Sequence, residues 1–417
     1  MRILFVAMGR SPHTAGWLNL IADQGWDLHL FSSMDNGVLH PTLRNLTFHH
    51  SFYVSPPDDP PWLARGVVQR GVRVPVLPLI NRWLPPRRQA AAWRKTAQVL
   101  RKGYRINQLT RLIQRLQPDL IHALEFQHAG YMTLAARERL LQQPGGHFPP
   151  WIITNWGHDI YLYGRLAEHR PRIQQILAAC AYYDVECTRD LDLGRELGLR
   201  GQSWAVTLNN GGYDVQALQG FRSPAPPSQR RLIVLKGVQN VYGRALFALR
   251  ALVMCRDLLQ GYRVAILSAD EPVATAAEVL ASTHGLALEV IPPSPQEDIW
   301  RLLGQARVYI GNNLTDGASL SSLEAMLLGA FPVQSRGACT EDWLTDGQTG
   351  LRTEPEDPHS IAAALRRALT DDALVDQAAA LNLAHGQAHF DRAHLRPIVV
   401  AQYQQALENS QQATRTV

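Results

Sequence analysis

The stretch that decides the predicted fold is Asp316-Gly-Ala-Ser-Leu-Ser-Ser-Leu-Glu324-Ala-Met-Leu-Leu-Gly329-Ala-Phe-Pro332. Apolar runs on either side, at 308–311 and 331–334, predict buried strands, and the residues between them predict a polar loop and one helix. Serines 319, 321 and 322 are expected to cap the start of this helix, and Gly329 to end it in the left-handed conformation. A strand, a loop and a helix in this order form an anion site at the carboxyl edge of a parallel sheet.

Two carboxylates, Asp316 and Glu324, lie in this stretch and are eight residues apart. Neither is expected to bind an anion, because like charges repel. Ionised carboxylates accept hydrogen bonds, and sugar hydroxyls can donate them. A phosphate site with two carboxylates beside it therefore predicts a pocket for a nucleotide sugar.

The rest of the chain alternates between short apolar runs and amphipathic stretches, which is typical of parallel sheets covered by helices. A turn cluster at 209–214 and a Pro-rich linker at 223–229 interrupt this alternation. We therefore predict an α/β protein with two doubly wound, Rossmann-like domains that face each other across a cleft. The predicted parts are an N-terminal domain at 1–212, a C-terminal domain at 213–390, and a helix at 391–417 that packs back on the first domain and is frayed from 409.

Three local predictions concern the first domain. Residues 55–86 are rich in proline and arginine, which favours a loop with short helical pieces over regular structure. Residues 204–208 are apolar and predict the last strand of this domain. Asp190 and Asp192 form a D-x-D pair at a predicted helix start, where we expect a capping role rather than metal binding.

Composition indicates an ordinary globular chain, with 46% hydrophobic and 18% charged residues among 417. No apolar run approaches the roughly 20 residues of a membrane-spanning helix, and the first residues resemble a strand rather than a signal peptide. Four cysteines, at positions 180, 187, 255 and 339, show neither CxxC nor zinc spacing. We therefore expect a cytoplasmic protein with free or buried thiols.

Charge is distributed unevenly along the chain, whose formal net charge is +5. The 60–118 region contains thirteen Lys or Arg residues and no acidic residue, with Trp62, Trp83 and Trp93 among them. This combination suits peripheral contact with an anionic membrane, at the inner face, at about 1 kcal/mol per well-placed cation. A solvated, arginine-rich helix face explains the pattern equally well, so both interpretations stay open. Nucleic acid is not an expected partner, because no binding motif accompanies the charge.

Two further groups of residues are candidates for chemistry. Lys236 ends the first predicted strand of the second domain and Arg244 begins the next helix, so both are expected near the Asp316 loop, where cations neutralise a diphosphate. Trp156-Gly-His158-Asp159 follows a strand of the first domain, where a carboxylate and an imidazole can bind hydroxyls or phosphate. The alternative there is structural, with Asp159 as a helix cap beside a partly exposed histidine.

Together these residues resemble the retaining GT-B glycosyltransferases of family 4. Asp316 and Glu324 match the two acidic positions of that family's E-x7-E motif, and the Ala-Met-Leu-Leu-Gly-Ala-Phe-Pro sequence matches its continuation. The 343–351 turn, Asp357-Pro and the 209–214 cluster match further landmarks. The sequence departs from the family in having Asp rather than Glu first, altered spacing of the cation pair, and Trp156 where the family has histidine.

The resemblance implies a hexosyltransferase-type enzyme that moves a sugar from a nucleoside diphosphate with retention of anomeric configuration. UDP- and GDP-sugars are the expected donors, with no cofactor and no metal. The acceptor would be a glycan, a lipid-linked glycan or a small molecule, as in polysaccharide or glycolipid biosynthesis.

The catalytic residues implied are Asp316, Lys236, Arg244, His158 and Asp159. The donor-binding residues implied are Glu324, for the ribose, and Gly317, Ala318, Ser319, Leu320 and Ser321. The acceptor-binding residues implied are Gly9, Arg10, His13, His128 and Trp156.

Two other functions remain open. A nucleotide-sugar epimerase or hydrolase would share the architecture and act on the donor alone. A degenerate GT-B chain could serve as a carbohydrate-binding or membrane-scaffold subunit without turnover.

Overall fold

The structure is a computed structural model of the chain that describes residues 1–34, 39–50, 65–70 and 89–415, with only the backbone at 89–102 and 413–415. The chain divides into two compact units. Unit 1 comprises Met1–Val185, Asp190–Gly211 and Arg396–Val417. Unit 2 comprises Glu186–Arg189 and Gly212–Leu395.

Unit 1 contains a parallel sheet of eight strands. The strands are β1 (Arg2–Ala7), β2 (Asp27–Ser32), β3 (Leu46–His49), β4 (Val67–Arg70), β5 (Leu120–Leu124), β6 (Trp151–Thr154), β7 (Tyr182–Asp184) and β8 (Gln202–Ser203). They are ordered β4-β3-β2-β1-β5-β6-β7-β8, and each neighbouring pair is parallel. The central strands β1 and β5 are nearly continuous apolar runs that are buried on both faces, as a sheet covered by helices requires.

The helices in this part of the chain connect successive strands. They are α1 (Pro12–Ile21), α2 (Gln89–Leu116), α3 (Tyr131–Leu141), α4 (Arg170–Ala179) and α5 (Thr188–Glu196), with a π-helical turn at Phe126–Gly130 and a short 3-10 turn at Tyr163–Arg165. The core packs Trp17 and Leu18 of α1 against one face of the sheet, and Leu109 of α2 and Ile176 of α4 against the other. The predicted alternation of helix and strand is therefore confirmed for this unit.

Unit 2 contains a second parallel sheet, of six strands. The strands are β9 (Leu232–Lys236), β10 (Arg263–Leu267), β11 (Leu288–Val290), β12 (Val308–Gly311), β13 (Phe331–Ser335) and β14 (Leu351–Thr353). They are ordered β11-β10-β9-β12-β13-β14, again with parallel pairs throughout. The helices are α6 (Val215–Leu218), α7 (Ala245–Met254), α8 (Glu271–His284), α9 (Gln296–Gly304), α10 (Leu320–Leu327), α11 (Thr340–Trp343), α12 (Pro358–Thr370) and α13 (Asp372–His389), with 3-10 turns at Gln219–Phe221, Pro227–Gln229 and Arg256–Leu258.

The last helix, α14 (Arg392–Arg415), belongs to unit 1 from Arg396 onward. Its Tyr403 is fully buried, and the Tyr403 hydroxyl lies 2.9 Å from the indole Nε1 of Trp17 and 2.6 Å from Nδ1 of His122. The predicted fraying from residue 409 is wrong for 409–415, because α14 remains helical to Arg415. This end of the chain is therefore held in unit 1 by a buried polar contact.

Two sequence predictions in the first half are corrected. Residues 65–70 of the predicted 55–86 loop include the edge strand β4, whereas 55–64 and 71–86 lie outside the described residues. The predicted strand at 204–208 is replaced by the two-residue β8. Beyond β8, the backbone N–H groups of Trp204 and Thr207 donate to the carbonyls of Tyr183 and Val185, but these residues are not part of a strand. Edge strands this short carry too few apolar residues to give a pattern.

Candidate functional site

The centre of the sheet in unit 2 is a topological switch point. Strand β9 pairs with β10 on one side and β12 on the other, so the connections leave in opposite directions from the carboxyl ends of these two strands. Open α/β sheets bind ligands at such points. Lys236 is the last residue of β9, and the loop that ends at Asp316 follows β12.

Lys236 and Asp316 form an ion pair at this point. The Lys236 ammonium nitrogen lies 3.3 Å from Oδ2 of Asp316, and the two side chains are 27% and 22% exposed. The same carboxylate accepts hydrogen bonds from the Asn313 side chain (3.0 Å) and from the Gly317 backbone N–H (3.1 Å). Burial alone would lower the pKa of Lys236, but the negative charge of Asp316 raises it above the usual value. Lys236 is therefore a fixed positive charge at the carboxyl edge of the sheet.

Helix α10 begins beside this pair, and it confirms the predicted strand–loop–helix order. Gly329, just beyond its end, has φ of +89°, the left-handed conformation that was expected there. The expected serine caps are wrong: the Ser319 side chain makes no capping hydrogen bond. The Ser321 hydroxyl instead bonds Tyr309 (2.7 Å) and the Ser322 hydroxyl donates to Gln334 (2.5 Å), because both point toward the sheet.

The absence of serine caps leaves the start of α10 open to an anion. Within the described residues, no acceptor is bonded to the backbone N–H groups of Leu320 and Ser321. These groups carry the positive end of the helix dipole. Together with Lys236 they can neutralise and orient a phosphate.

A cavity of about 480 Å³ opens next to these groups, and all of its lining lies in unit 2. Its polar lining includes Lys236, Ser321 and Glu324, and the segment 290–294 after β11 also lines it. The complete lining is Lys236, Leu267, Ser268, Ala269, Val290, Ile291, Pro292, Pro293, Ser294, Gln296, Ile299, Tyr309, Ser321 and Glu324. The lining thus combines charged and polar side chains with apolar residues, which suits a ligand that has a phosphate and less polar parts.

Glu324 faces this cavity from α10. Both of its carboxylate oxygens lie 3.2 Å from the side-chain nitrogen of Gln296 at the start of α9. Burial raises the pKa of Glu324 to about 7, against the opposing effects of the neighbouring Trp300 indole, the Gln296 amide and the Lys236 ammonium. Near neutral pH this carboxyl group can therefore act as a hydrogen-bond donor or as an acceptor.

Arg244 does not join this group of side chains. It lies at the start of α7, where its Nε is 2.7 Å from the Glu356 carboxylate and its NH1 donates to the carbonyls of Asn240 and Gly243. It is not among the residues that line the described cavity. The structure therefore brings together Lys236, Asp316, Glu324 and Ser321, and it leaves the second predicted cation engaged elsewhere.

The predicted acceptor-binding residues lie in unit 1. The His13 ring lies 5.2 Å from the ring of Trp156, measured between centroids. Gly9 is buried beside Phe48, and a Cβ atom at this position would lie 2.7 Å from the Phe48 ring. Arg10 is exposed. His13 and Trp156 can therefore line one surface, but the described residues of this group form no cluster of titratable groups comparable to that of unit 2.

Asp159 has a different placement from the one that catalysis would require. It is 5% exposed, and its Oδ2 accepts hydrogen bonds from the backbone N–H groups of Trp156 (2.8 Å) and Phe126 (3.0 Å). Burial, and then the negative charge of Glu125, raise its pKa well above the usual range. The structural alternative is favoured for Asp159, although it tethers two backbone segments rather than capping a helix.

The histidines of this region are dispersed. His158 is partly exposed, and its carbonyl accepts from the N–H groups of Leu162 and Tyr163. The His128 side chain is half exposed, with Nδ1 3.3 Å from the Glu125 carboxylate. His122 is fully buried, and burial lowers its pKa to about 3, so it is a neutral core histidine.

Asp190 is also buried, in the first turn of α5, where its carboxylate accepts a hydrogen bond from the Asn155 side-chain amide (2.9 Å). This contact is an internal one, and the expected capping role stays a prediction.

The cysteine prediction requires a correction. Cys180 and Cys255 are free and buried, as expected, but Cys187 and Cys339 form a disulfide across 152 residues of sequence. Both partners belong to unit 2, which includes Glu186–Arg189 as well as Gly212–Leu395. The sequence separation of the two gave no indication that they would meet.

Sequence reasoning missed Gln296 and Tyr309 as site residues. Gln296 is a glutamine at a helix start and Tyr309 an aromatic residue within an apolar strand, and both patterns are ordinary features of a core. Neither residue type, at its position in the sequence, signalled a binding site.

Family comparisons match both halves of the chain to transferases. Residues 246–382 match the model of the Glycosyl transferases group 1 family, and residues 69–183 match that of the Glycosyl transferase 4-like family. A search of curated proteins found no match.

Solved structures with the same fold were found at low sequence identity. Sucrose-phosphate synthase from Thermosynechococcus elongatus aligns with a TM-score of 0.68 at 15% identity, over 98% of this chain and 100% of that one. Anabaena HepE in complex with UDP-glucose aligns with a TM-score of 0.65 at 11% identity, over 97% and 100%. A glycosyltransferase from Rickettsia africae aligns with a TM-score of 0.65 at 9% identity, over 98% and 99%.

These alignments confirm the predicted fold class. No helix in the described part of the chain has the length and apolar character to cross a membrane. The chain therefore has the GT-B architecture of glycosyltransferases and carries, at 69–183 and 246–382, regions that match the Glycosyl transferase 4-like and Glycosyl transferases group 1 families.

Proposed function

We propose that the protein is a retaining glycosyltransferase that moves a hexose from a nucleoside diphosphate sugar to a hydroxyl acceptor. The observation that supports this function is the cavity of unit 2, in which Lys236, Ser321 and Glu324 face the 290–294 segment beside the Asp316 loop. Its dimensions and polarity suit a nucleoside diphosphate. The two family matches support transferase chemistry.

In this proposal each part of the donor has a partner in unit 2. The base lies against the 290–294 segment, and the ribose hydroxyls donate to the Glu324 carboxylate. The diphosphate lies between the Lys236 ammonium and the N-terminal N–H groups of α10. The sugar lies next to Asp316 and the backbone from Gly317 to Ser319.

The proposed chemistry is charge stabilisation of the leaving group. When the bond between the sugar and the diphosphate breaks, the electron pair passes to the phosphate oxygen, and Lys236 is the cation already held beside it. A fixed positive charge of this kind stabilises the transition state more than the ground state. The new bond forms to an acceptor oxygen on the same face of the sugar, and the acceptor proton is released. We propose that no metal ion and no cofactor take part.

UDP- and GDP-sugars are the donors to test first. HepE, one of the similar structures, was solved with UDP and with UDP-glucose. A glycan, a lipid-linked glycan or a small molecule is the proposed acceptor, bound by the surface of Gly9, His13 and Trp156 in unit 1. Arg10, His128 and His158 are secondary candidates for that surface.

Calorimetry with UDP, GDP, UDP-glucose and GDP-mannose tests the donor proposal. We expect at least one nucleotide and its sugar derivative, either UDP with UDP-glucose or GDP with GDP-mannose, to bind wild-type protein. Both members of that pair should bind more weakly to the Glu324→Ala variant. Binding that is unchanged in this variant would remove the assignment of Glu324, and no binding by wild-type protein would overturn the proposed function.

Product analysis tests the reaction type. We expect transfer to an acceptor with the anomeric configuration of the donor, as seen by NMR, at a rate that is unaffected by EDTA. Inversion would exclude the retaining mechanism, a converted donor without acceptor would indicate an epimerase or hydrolase, and binding without turnover would indicate a degenerate subunit.

We also propose a cytoplasmic location with peripheral membrane contact through the 60–118 region. Residues 60–64 and 71–88 of this region lie outside the described residues. Cosedimentation with anionic and neutral liposomes tests the contact, and equal binding to both would support the solvated helix face instead.

A further inference from the structure

Residues Glu186–Arg189 are separated in sequence from the rest of unit 2, yet they belong to it. They lie between β7 and the body of α5, in a segment that the sequence did not single out for function. Glu186 and Arg189 contact the loop after β12, and Arg189 also contacts the loop after β13. Cys187 is bonded to Cys339, and Thr188 donates to Asp342 of α11. The segment therefore joins three neighbouring elements of unit 2.

Arg189 contacts two strand-end loops at once. Its NH1 donates to the Gly337 carbonyl at 2.9 Å, and its NH2 donates to the Asp316 carbonyl at 3.1 Å. The Gly337 carbonyl also accepts from the Asp316 backbone N–H at 2.9 Å. The planar guanidinium therefore joins the loop after β12 to the loop after β13, a geometry that the single ammonium of lysine cannot reproduce.

Glu186 contacts the other side of the same loop. Its Oε2 accepts a hydrogen bond from the Ala318 backbone N–H at 3.1 Å. The loop between Asp316 and Ala318 is thus bonded at its first carbonyl by a cation and at its third N–H by an anion. These two contacts fix the direction in which the Asp316 side chain leaves the backbone. They therefore also help to hold the Asp316 carboxylate at 3.3 Å from the Lys236 ammonium.

The segment that carries these two side chains is itself anchored. Cys187 is bonded to Cys339, and both are fully buried. The neighbouring Thr188 donates to Asp342 through its backbone N–H (2.7 Å) and its hydroxyl (2.8 Å). With its backbone held at these positions, Arg189 has little freedom to leave its two acceptors.

We propose that Arg189 is a positioning residue for the sugar-binding part of the donor site, acting through the Asp316–Ser319 loop. Arg189 is not among the residues that line the cavity of Glu324 and the 290–294 segment, which are proposed to hold the nucleoside. The inference rests on the proposed function and adds a specific consequence. Replacing Arg189 should weaken binding of the nucleotide sugar, which has a sugar to be held, and should leave binding of the free nucleotide unchanged. Glu186 supports the same loop from its other side.

The test compares affinities for a nucleotide and for its sugar derivative in the same protein. Calorimetry is performed with UDP, UDP-glucose, GDP and GDP-mannose on wild-type protein and on the Arg189→Gln and Arg189→Lys variants. For the pair that wild-type protein binds, we expect Arg189→Gln to weaken the nucleotide sugar about tenfold, the loss of one charged hydrogen-bonded contact, and to leave the nucleotide within about threefold. Arg189→Lys should lose most of the same affinity for the nucleotide sugar, because lysine lacks the planar guanidinium whose two nitrogens reach both carbonyls.

The matched control is Arg195→Gln on the same helix, since Arg195 is 60% exposed and bonds Asp192 at the surface. It should leave both affinities unchanged. Equal weakening of nucleotide and nucleotide sugar, or full affinity in Arg189→Gln, would overturn the inference. Arg189→Lys keeps the test decisive if Arg189→Gln does not fold. Failure of the proposed function is distinguishable, because wild-type protein would then bind none of the four probes.

Discussion

The strand ends of the two units use similar residues in opposite ways. In unit 2, Lys236 and Glu324 border a cavity and keep part of each side chain accessible. In unit 1, Glu125 directly follows β5 and Asp159 lies in the loop after β6, but both are buried and accept hydrogen bonds from backbone N–H groups of the protein. Titratable residues at a strand end therefore indicate a site only when their polar atoms still face open space.

The difference has a cause in the local backbone. After β12 the chain forms an open loop, and α10 starts without a side-chain cap, so N–H groups remain for a ligand. After β5 the chain enters a π-helical turn, and the Glu125 side chain accepts from the N–H groups of His128 and Ala129. The donors at that turn are thereby already satisfied. The predictions below test this contrast, from the largest expected effect to the smallest.

Lys236→Met should lower turnover about 10²- to 10³-fold, the range found when one preorganised charge-stabilising donor is removed. The physical reason is that the leaving diphosphate loses the cation held beside it. Steady-state kinetics with a donor that binds wild-type protein measures the effect. Arg263→Met on the neighbouring strand β10 is the control, since this arginine pairs with Glu289 at the surface. Turnover that falls less than about threefold would contradict the role of Lys236.

Asp159→Ala should destabilise the protein by about 2–3 kcal/mol, because two buried backbone N–H groups lose their acceptor. Donor affinity should not change. Urea denaturation followed by tryptophan fluorescence measures the stability, and Asp192→Ala on the exposed surface is the control. Asp159→Asn keeps an acceptor and should be milder. Full stability combined with lost turnover would return Asp159 to a catalytic role.

Glu324→Gln should weaken nucleotide binding about tenfold at pH 8, as expected for one lost charged hydrogen bond. The pKa of Glu324 is raised to about 7, so the affinity of wild-type protein should rise as pH increases through that value and the carboxyl group ionises. The variant should show no such rise. Calorimetry at several pH values measures both, and a wild-type affinity that falls with rising pH would contradict the acceptor role.

The same carboxyl group predicts a pH-dependent stability. Its pKa is higher in the folded protein, at about 7, than the ordinary 4.5. The folded state therefore binds the proton more tightly, and the stabilisation present below the unfolded pKa is lost as pH rises through the folded value. Glu324→Gln should accordingly melt at a higher temperature than wild-type protein at pH 8 and at a similar temperature at pH 4. Thermal denaturation at the two pH values is the measurement.

Arg244→Gln should have the smallest effect, less than about threefold on donor affinity, because its guanidinium is already bonded to Glu356 and two carbonyls. A Glu356→Gln variant gives the complementary control. A loss of donor affinity as large as the loss of turnover expected for Lys236→Met would show that Arg244 turns toward the ligand in the complex. The contrast between the two cations would then disappear.

Sequence patterns predicted the parts of the site that depend on the local chain. The order of β12, loop and α10, the end of the helix at Gly329 and the place of Lys236 follow from apolar period and residue preference. The orientation of Ser321 and Ser322 could not be predicted, because Tyr309 and Gln334 compete with the helix start for their hydroxyls. Burial of Asp159 and the contact of Gln296 with Glu324 likewise depend on packing between elements distant in sequence.

The assignment of Glu186–Arg189 to unit 2 has a practical consequence for dissecting the protein. A fragment cut at the linker, such as 213–390, would contain Asp316 and Cys339 but neither Arg189 nor Cys187. Its Cys339 would become a free thiol, and the Asp316 and Gly337 carbonyls would lose the guanidinium that joins them. Ligand affinities measured on such a fragment would therefore differ from those of the whole chain, because the Asp316 loop would lack these contacts.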